Sequence, residues 1–145
     1  MLIPTHLETY RTTVRPEDCD ALGHMNVQHY FRAVSEGMFV VMAQLGLDLQ
    51  QIAHRQLSFA VVRTEANFRR ELHVGEVIAL NSTIKRMGEK LVVFHHQLLT
   101  VSGDVLAMEV DYDCVLLNLE RRRAVPIPDD IRNAALRAFP NLMSE

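Results

Sequence analysis

Apolar residues along this chain keep two different periods. Val27, Phe31, Val34, Met38, Val41 and Leu45 follow one another at alternating steps of four and three, which traces one face of an α-helix. Tyr30, Ala33, Gly37 and Val40 widen the stripe. The pattern predicts a helix of about 20 residues, buried nearly all round. Asn26 is placed to cap its start and Gly46 to end it. Residues 7–14 (LETYRTTV) suit a first strand. Residues 15–26 carry Pro16 and Gly23, hold no period, and read as a loop.

After residue 57 the period becomes two. Val62, Thr64, Ala66 and Phe68 alternate with Val61, Arg63, Glu65, Asn67 and Arg69. Further strands are expected over residues 76–86, 90–101 and 105–119, separated by turns at 73–76, 87–89 and 102–104. In the last of them Leu106, Met108, Val110, Tyr112, Cys114 and Leu116 share one face. Asp129 and Asp130 then open a short helix through about Ala138, with acids at its positive end. A long apolar helix needs apolar surface around it, and a curved antiparallel sheet supplies it. The expected class is α+β: the hotdog fold, a long central helix wrapped by about five strands. Strands this long exceed the usual range, so edge-to-edge pairing of two copies is expected.

Composition narrows the picture. At 145 residues the chain is expected to form a single domain over 1–145. With 48% hydrophobic and 23% charged residues it has enough apolar matter for a core without staples. A net charge of −3 argues against a nucleic-acid partner. Two cysteines, Cys19 and Cys114, fit a reducing cytoplasmic setting better than a disulfide scaffold. No run is long enough to span a membrane, and the first 13 residues show no leader pattern.

The candidate chemistry is concentrated in Asp18-Cys19-Asp20-Ala21-Leu22-Gly23-His24-Met25-Asn26-Val27, immediately before the long helix. A helix N-terminus presents unpaired N–H groups and partial positive charge. A carbonyl placed there is polarised. A carboxylate beside it can attack that carbonyl or activate water. A solvated loop with an asparagine cap would need the same residue types.

This loop, with Gly23-His24-Met25-Asn26 and Tyr30 beyond it, resembles the active-site segment of the 4-hydroxybenzoyl-CoA thioesterase family of hotdog enzymes. The likeness extends to Gly75-Glu76, the Met87-to-Lys90 turn and the closing Arg-Arg-Ala-Val-Pro-Ile-Pro. The resemblance implies hydrolysis of an acyl-CoA thioester to free acid and CoA, without cofactor or metal. It implies Asp20 as nucleophile or general base and the Val27 N–H as the polarising donor. His24 and Asn26 would stand beside them, and Gly23, Tyr30, Phe31, Glu36 and Phe68 would bind substrate. Another branch of these enzymes uses a helix carboxylate as base, the position Glu36 would fill. Lys90, Arg121 and Arg123 match the basic residues that contact CoA, often from a neighbouring subunit. Gly88 and Glu89 depart from the pattern, standing where arginines are found.

Phe31, Phe59, Val61, Val62 and Phe68 are candidate walls for the acyl group, and the low aromatic content leans towards aliphatic chains. His95 and His96 point to opposite faces of a strand, and the remaining histidines form no metal pattern. The alternatives are a hotdog enoyl-CoA hydratase or dehydratase, and a non-catalytic module that holds an acyl-thioester or acyl carrier protein. An acyl carrier protein could also bring the thioester to the Arg121–Arg123 patch. A homodimer or homotetramer is the expected assembly.

Overall fold

The four-and-three stripe forms helix α1, Val27–Gln44, in the computed structural model, which describes residues 6–144. Residues 1–5, part of the segment searched for a leader, lie outside the described residues. Asn26 caps α1 through its side chain, and Gly46 follows the helix end at a φ of 84°. Five long strands follow the expected order: β1 (Leu7–Thr13), β2 (Leu57–Phe68), β3 (Val77–Met87), β4 (Leu91–Thr100) and β5 (Leu106–Asn118). They form one antiparallel sheet in the order β1-β3-β4-β5-β2. Two-residue strands extend it, β6 (Arg123–Ala124) on β5 and β7 (Met143–Ser144) on β3. Each of the four ladders between the long strands contains one register shift. Such bulges bend strands and raise their twist, and the sheet curls around α1 as the hotdog fold requires.

The inward residues of β4 and β5 alternate as the sequence reads. Val92, Phe94, Leu98, Met108, Val110, Cys114 and Leu116 are buried together with Val34, Met38 and Val41 of α1. Burial of α1 is one-sided, however, and not nearly complete. Val27, Phe39 and Val40 are exposed, because the sheet covers the helix from one side only within a single chain. The alternation in β2 also departs from expectation. Residues 61–65 are exposed on both faces, since β2 is an edge strand running past the helix. A short helix was not expected: α2, Leu49–Arg55, carries His54, which the sequence placed in a loop. Its N-cap, Asp48, accepts from Gln51 N at 2.8 Å. Its seven residues are too few to establish a period. The terminal helix α3 spans Asp129–Ala138, and the bidentate Arg55–Asp130 pair ties it to α2. Among the described residues no helix is long and apolar enough to cross a membrane.

Gly37 sets the depth of α1. A Cβ there would stand 2.5 Å from Leu80 Cδ2 and 2.6 Å from Thr9 Oγ1, so only glycine lets the helix sit this close to β1 and β3. Beneath it runs a buried polar chain. Thr9 Oγ1 donates to Leu80 O at 3.4 Å, Ser82 Oγ lies 2.8 Å from Thr9 Oγ1, and His96 Nδ1 lies 2.7 Å from Ser82 Oγ. The three groups fit one direction of donation, from imidazole N–H to serine to threonine to carbonyl. That tautomer leaves His96 Nε2 as a bare acceptor, buried without a hydrogen-bond partner and beside the Tyr112 ring. Burial, with His95 adding to it, pushes His96 down to about 3.

Protonation therefore favours the unfolded chain wherever the pH lies between about 3 and the ordinary histidine value. Stability carried by neutral His96 is complete above about pH 6.5 and falls by somewhat over 1 kcal/mol per pH unit below it. Urea unfolding at pH 7 and pH 5 should show this loss. His96→Gln, which does not titrate, should flatten it although its stability at pH 7 is lower.

Candidate active site

The loop before α1 folds back on itself. Cys19 and Met25 form an antiparallel bridge, Asp20 N donates to His24 O at 3.2 Å, and Gly23 N donates to Asp20 O at 3.0 Å. Gly23 turns the chain at a φ of 85°. Nothing lies within 4 Å of where its Cβ would be, so within this chain its conformation, not a close approach, calls for glycine. One bond closes the loop on itself, Asn26 N to Asp18 O at 2.9 Å, and one fastens it to its surroundings, Met25 N to Leu72 O at 2.7 Å. Asp18 also accepts from Arg15 N at 3.0 Å and so braces the loop. Cys19 is only partly buried, although its bridge partner Met25 belongs to the core.

Asn26 joins the two features that matter. Its Oδ1 accepts from Gln28 N at 3.1 Å and caps α1. Its Nδ2 donates to Asp20 Oδ2 at 2.8 Å. Asp20 Oδ1 in turn accepts from Leu22 N at 2.9 Å. The Asn26 bond, then the Leu22 N–H, then the nearby His24 hold the Asp20 carboxyl below the usual carboxylate range. Asp20 is therefore anionic at neutral pH and fixed at the start of the helix. The cap is taken by Gln28 N and the Asn26 carbonyl by His29 N. The Val27 amide is used by neither and lies in the first turn, where the helix carries partial positive charge.

Next to this loop lies an open cavity of about 340 Å³ lined by His24, Met25, Val27, Tyr30, Phe68, Arg69, Arg70 and Glu71. The Tyr30 and Phe68 rings meet edge to face at 5.3 Å, and Phe31 backs Phe68 at 6.2 Å. Tyr30 Oη donates to Arg70 O at 3.1 Å. Together with the Met25–Leu72 bond, this holds residues 70–72 across the loop. His24 places Nδ1 3.3 Å from Met25 O and Nε2 3.8 Å from Glu71.

Not every expected site residue gathers here. Phe59 packs on Phe94 in the core, and Val61 and Val62 are exposed on the edge strand, so these three do not line the cavity. Glu36 is exposed on α1, ten residues and about 15 Å of helix beyond Asn26. Lys90, Arg121 and Arg123 gather at the other end of the sheet. Leu116 N donates to Lys90 O, and Asn118 Oδ1 takes the Arg121 N–H at 2.9 Å beside Arg123. The length of β3 separates that end from the Asp20 loop, about 30 Å along a strand of this length. Sequence reasoning gave no site role to Arg69, Arg70 and Glu71, although a charged triplet ending an apolar strand was visible. Among the described residues no group of His, Cys, Asp and Glu could hold a metal ion.

The hotdog fold and the comparisons with known proteins together define a class, the thioester hydrolases. The profile of the thioesterase-like superfamily matches residues 14–135, and the chain belongs to that family. It is 28% identical to a 1,4-dihydroxy-2-naphthoyl-CoA hydrolase of Thermosynechococcus vestitus, over 98% of this chain and 97% of that one. It is also 28% identical to a betainyl-CoA thioesterase of Pseudomonas aeruginosa, over 86% and 79%. A Staphylococcus aureus protein solved in complex with CoA shares the fold at a TM-score of 0.86 and 17% identity, over 98% of this chain and 90% of that one.

The Asn26 clamp has a measurable consequence. Asn26→Ala should cost about 1 kcal/mol of stability through the lost cap. It should also raise the Asp20 carboxyl towards its ordinary value, because the bond that lowers it most is gone. Titration of Asp20 followed by carbon-13 NMR would show the rise, and an unchanged midpoint would contradict the clamp.

Proposed function

We propose that the chain hydrolyses acyl-CoA thioesters, with Asp20 as the nucleophile. The observation that carries this reading is the Asp20–Asn26–α1 unit: an anionic carboxylate held by the residue that caps the helix, beside the Val27 amide. The thioester carbonyl oxygen accepts from Val27 N–H at the positive helix end, which stabilises the charge that develops on it. One Asp20 oxygen attacks the carbonyl carbon. The carbon–sulfur bond breaks, and CoA leaves as a thiolate that needs no strong acid. The mixed anhydride is then hydrolysed by water, which returns the carboxylate. A carboxylate kept below its ordinary range keeps its charge but is a weak proton acceptor. CoA, more than an acyl carrier protein, is the carrier suggested by both named relatives. Free Cys19 and Cys114 suit a reducing, cytoplasmic setting.

The working unit in this reading is a homodimer, with a homotetramer of two such dimers as its extension. β2 is a 12-residue edge strand with Val61 and Val62 exposed, and Phe39 and Val40 of α1 are exposed as well. Both features ask for cover. Two copies related by a two-fold axis through paired β2 edges run antiparallel. The Leu57 end of one β2 then lies beside the Phe68 end of the other. Arg121 and Arg123, which sit at the Leu57 end, come to the cavity of the other copy. There they meet the phosphates of CoA.

Asp20→Asn should lower thiol release from acyl-CoAs by about a hundred- to ten-thousandfold with the fold intact by circular dichroism. Undiminished release would remove Asp20 from the mechanism. The shared site has its own test. Asp20→Asn chains refolded together with Arg121→Glu/Arg123→Glu chains should show more activity than either variant alone. In each mixed dimer one site then has both an intact Asp20 and an intact arginine pair. Absence of rescue would mean that the arginines serve their own chain or none.

A further inference from the structure

A second, smaller cavity lies where the first turns of α1 meet β1 and the loop that carries Asp18. It measures about 40 Å³, and the buried side chains of Met25, Ala33 and Ile78 belong to its lining. One water needs about 10–15 Å³ by this measure. The cavity therefore has room for one small tetrahedral ion and none for an acyl chain. Arg15, His29 and Arg32 line it together with Thr12 and Thr13, and Asp18 is the one carboxylate among its lining residues.

The charges here are not balanced within the chain. Arg11, Arg55, Arg63, Arg69 and Arg70 each have a carboxylate partner. Among the described residues Arg15 and Arg32 have none, in a chain whose net charge is −3. Asp18 does not match them. Its Oδ2 takes the backbone N–H of Arg15, and its Oδ1 lies 3.6 Å from His29 Nδ1, beyond a hydrogen bond. The Asp18 and His29 side chains are only 17% and 19% exposed, so charge beside them is poorly screened. Arg15 and Arg32 are exposed, and an ion arriving from solvent reaches them. β1 and β2 are opposite edges of the sheet, so pairing of two copies through β2 leaves this cavity open.

The donor set selects the ligand. Two guanidiniums, each a fork of N–H donors, suit an anion with several oxygens. The lone carboxylate discriminates further. Asp18 would repel an oxyanion without a proton, such as sulfate, but can accept a hydrogen bond from one that keeps a hydroxyl. Free phosphate keeps a proton at neutral pH, whereas a monoester, with a second pKa of about 6, has mostly lost it. We propose that this cavity binds free inorganic phosphate, with Arg15 and Arg32 on its oxygens and Asp18 accepting from its remaining hydroxyl. The ion would share the Met25 wall with the cavity beside Asp20, yet meet no group that hydrolysis uses.

Thermal unfolding tests it. Phosphate at about 10 mM should raise Tm by about 2–4 °C over sodium chloride of equal ionic strength. Sulfate should give less than half of that rise. Arg15→Gln/Arg32→Gln alters two exposed side chains, so its Tm in chloride should stay near that of the wild type, and the phosphate rise should vanish. Arg121→Gln/Arg123→Gln, at the other basic patch, should keep the rise. Asp18→Asn should make phosphate and sulfate equal, a comparison that any loss of loop stability leaves intact. Phosphate should also move the His29 imidazole signals in NMR spectra. No rise over chloride would overturn the proposal, and is the result expected if the two arginines are merely solvated or meet a carboxylate of a second copy. So would a wild type that responds equally to sulfate, or a rise that survives Arg15→Gln/Arg32→Gln. A rise with CoA, absent with 3′-dephospho-CoA and lost in Arg15→Gln/Arg32→Gln, would assign the cavity to an ester phosphate and overturn the free ion.

Discussion

The seating of α1 at Gly37 is the constraint from which the rest follows. A helix packed on a sheet usually keeps the sheet at the distance of its side chains. Here one residue has none, and the helix axis drops towards Leu80 and Thr9. That depth decides which turns of α1 are buried and where its first turn emerges. Its N-terminus meets the Asp18–Met25 loop from below, and Asn26 bridges the two. A bulkier residue at 37 would push the helix outward. The displacement would be felt at Val27 and Asp20 as much as in the core.

Two polar systems are built around that helix on opposite electrostatic principles. Beneath it, Thr9, Ser82 and His96 are closed off from water, and the buried, partnerless Nε2 of His96 is tolerated only while the imidazole is neutral. At its N-terminus, Asp20 is partly open to water, and its hydrogen bonds are complete only while the carboxylate is charged. Both systems fail in acid, for opposite reasons: one by gaining a charge that burial penalises, the other by losing a charge that its donors require. They fail in different pH ranges. The core histidine loses its advantage first, starting from the ordinary histidine range, while the Asp20 carboxylate stays ionised.

What the sequence made legible was whatever depends on neighbours along the chain. The α1 stripe, the alternation in β5, the Asn26 cap and the Gly103 turn are local, and each stands where the residues place it. The turn and cap of the Asp20 loop were legible because Asp, Gly and Asn in that spacing suit both before a helix. Three things were hidden. Helix α2 has too few residues to set a period. The one-sided burial of α1 and the exposed middle of β2 depend on where the sheet ends, which periodicity does not report. Glu71 joins the site through hydrogen bonds of its neighbours, Leu72 to Met25 and Arg70 to Tyr30, from more than forty positions away. Nothing in the composition of Arg69-Arg70-Glu71 separates a strand end from a cavity wall.

The separation of Lys90, Arg121 and Arg123 from Asp20 bears on why this fold would work in pairs. A curved sheet around one helix leaves two edges, β1 and β2. β1 is short, seven residues, whereas β2 runs for 12 and carries apolar side chains into solvent. A thioester of CoA is long, with its reactive carbonyl at one end and its phosphates at the other. One chain offers chemistry at one end of the sheet and positive charge at the opposite end, facing away along the same strands. Antiparallel pairing through β2, as proposed above, would turn that mismatch into a match, because it would set the basic end of one copy against the Asp20 end of the other. The same contact would cover Val61 and Val62, so a single apolar interface would serve stability and substrate binding at once.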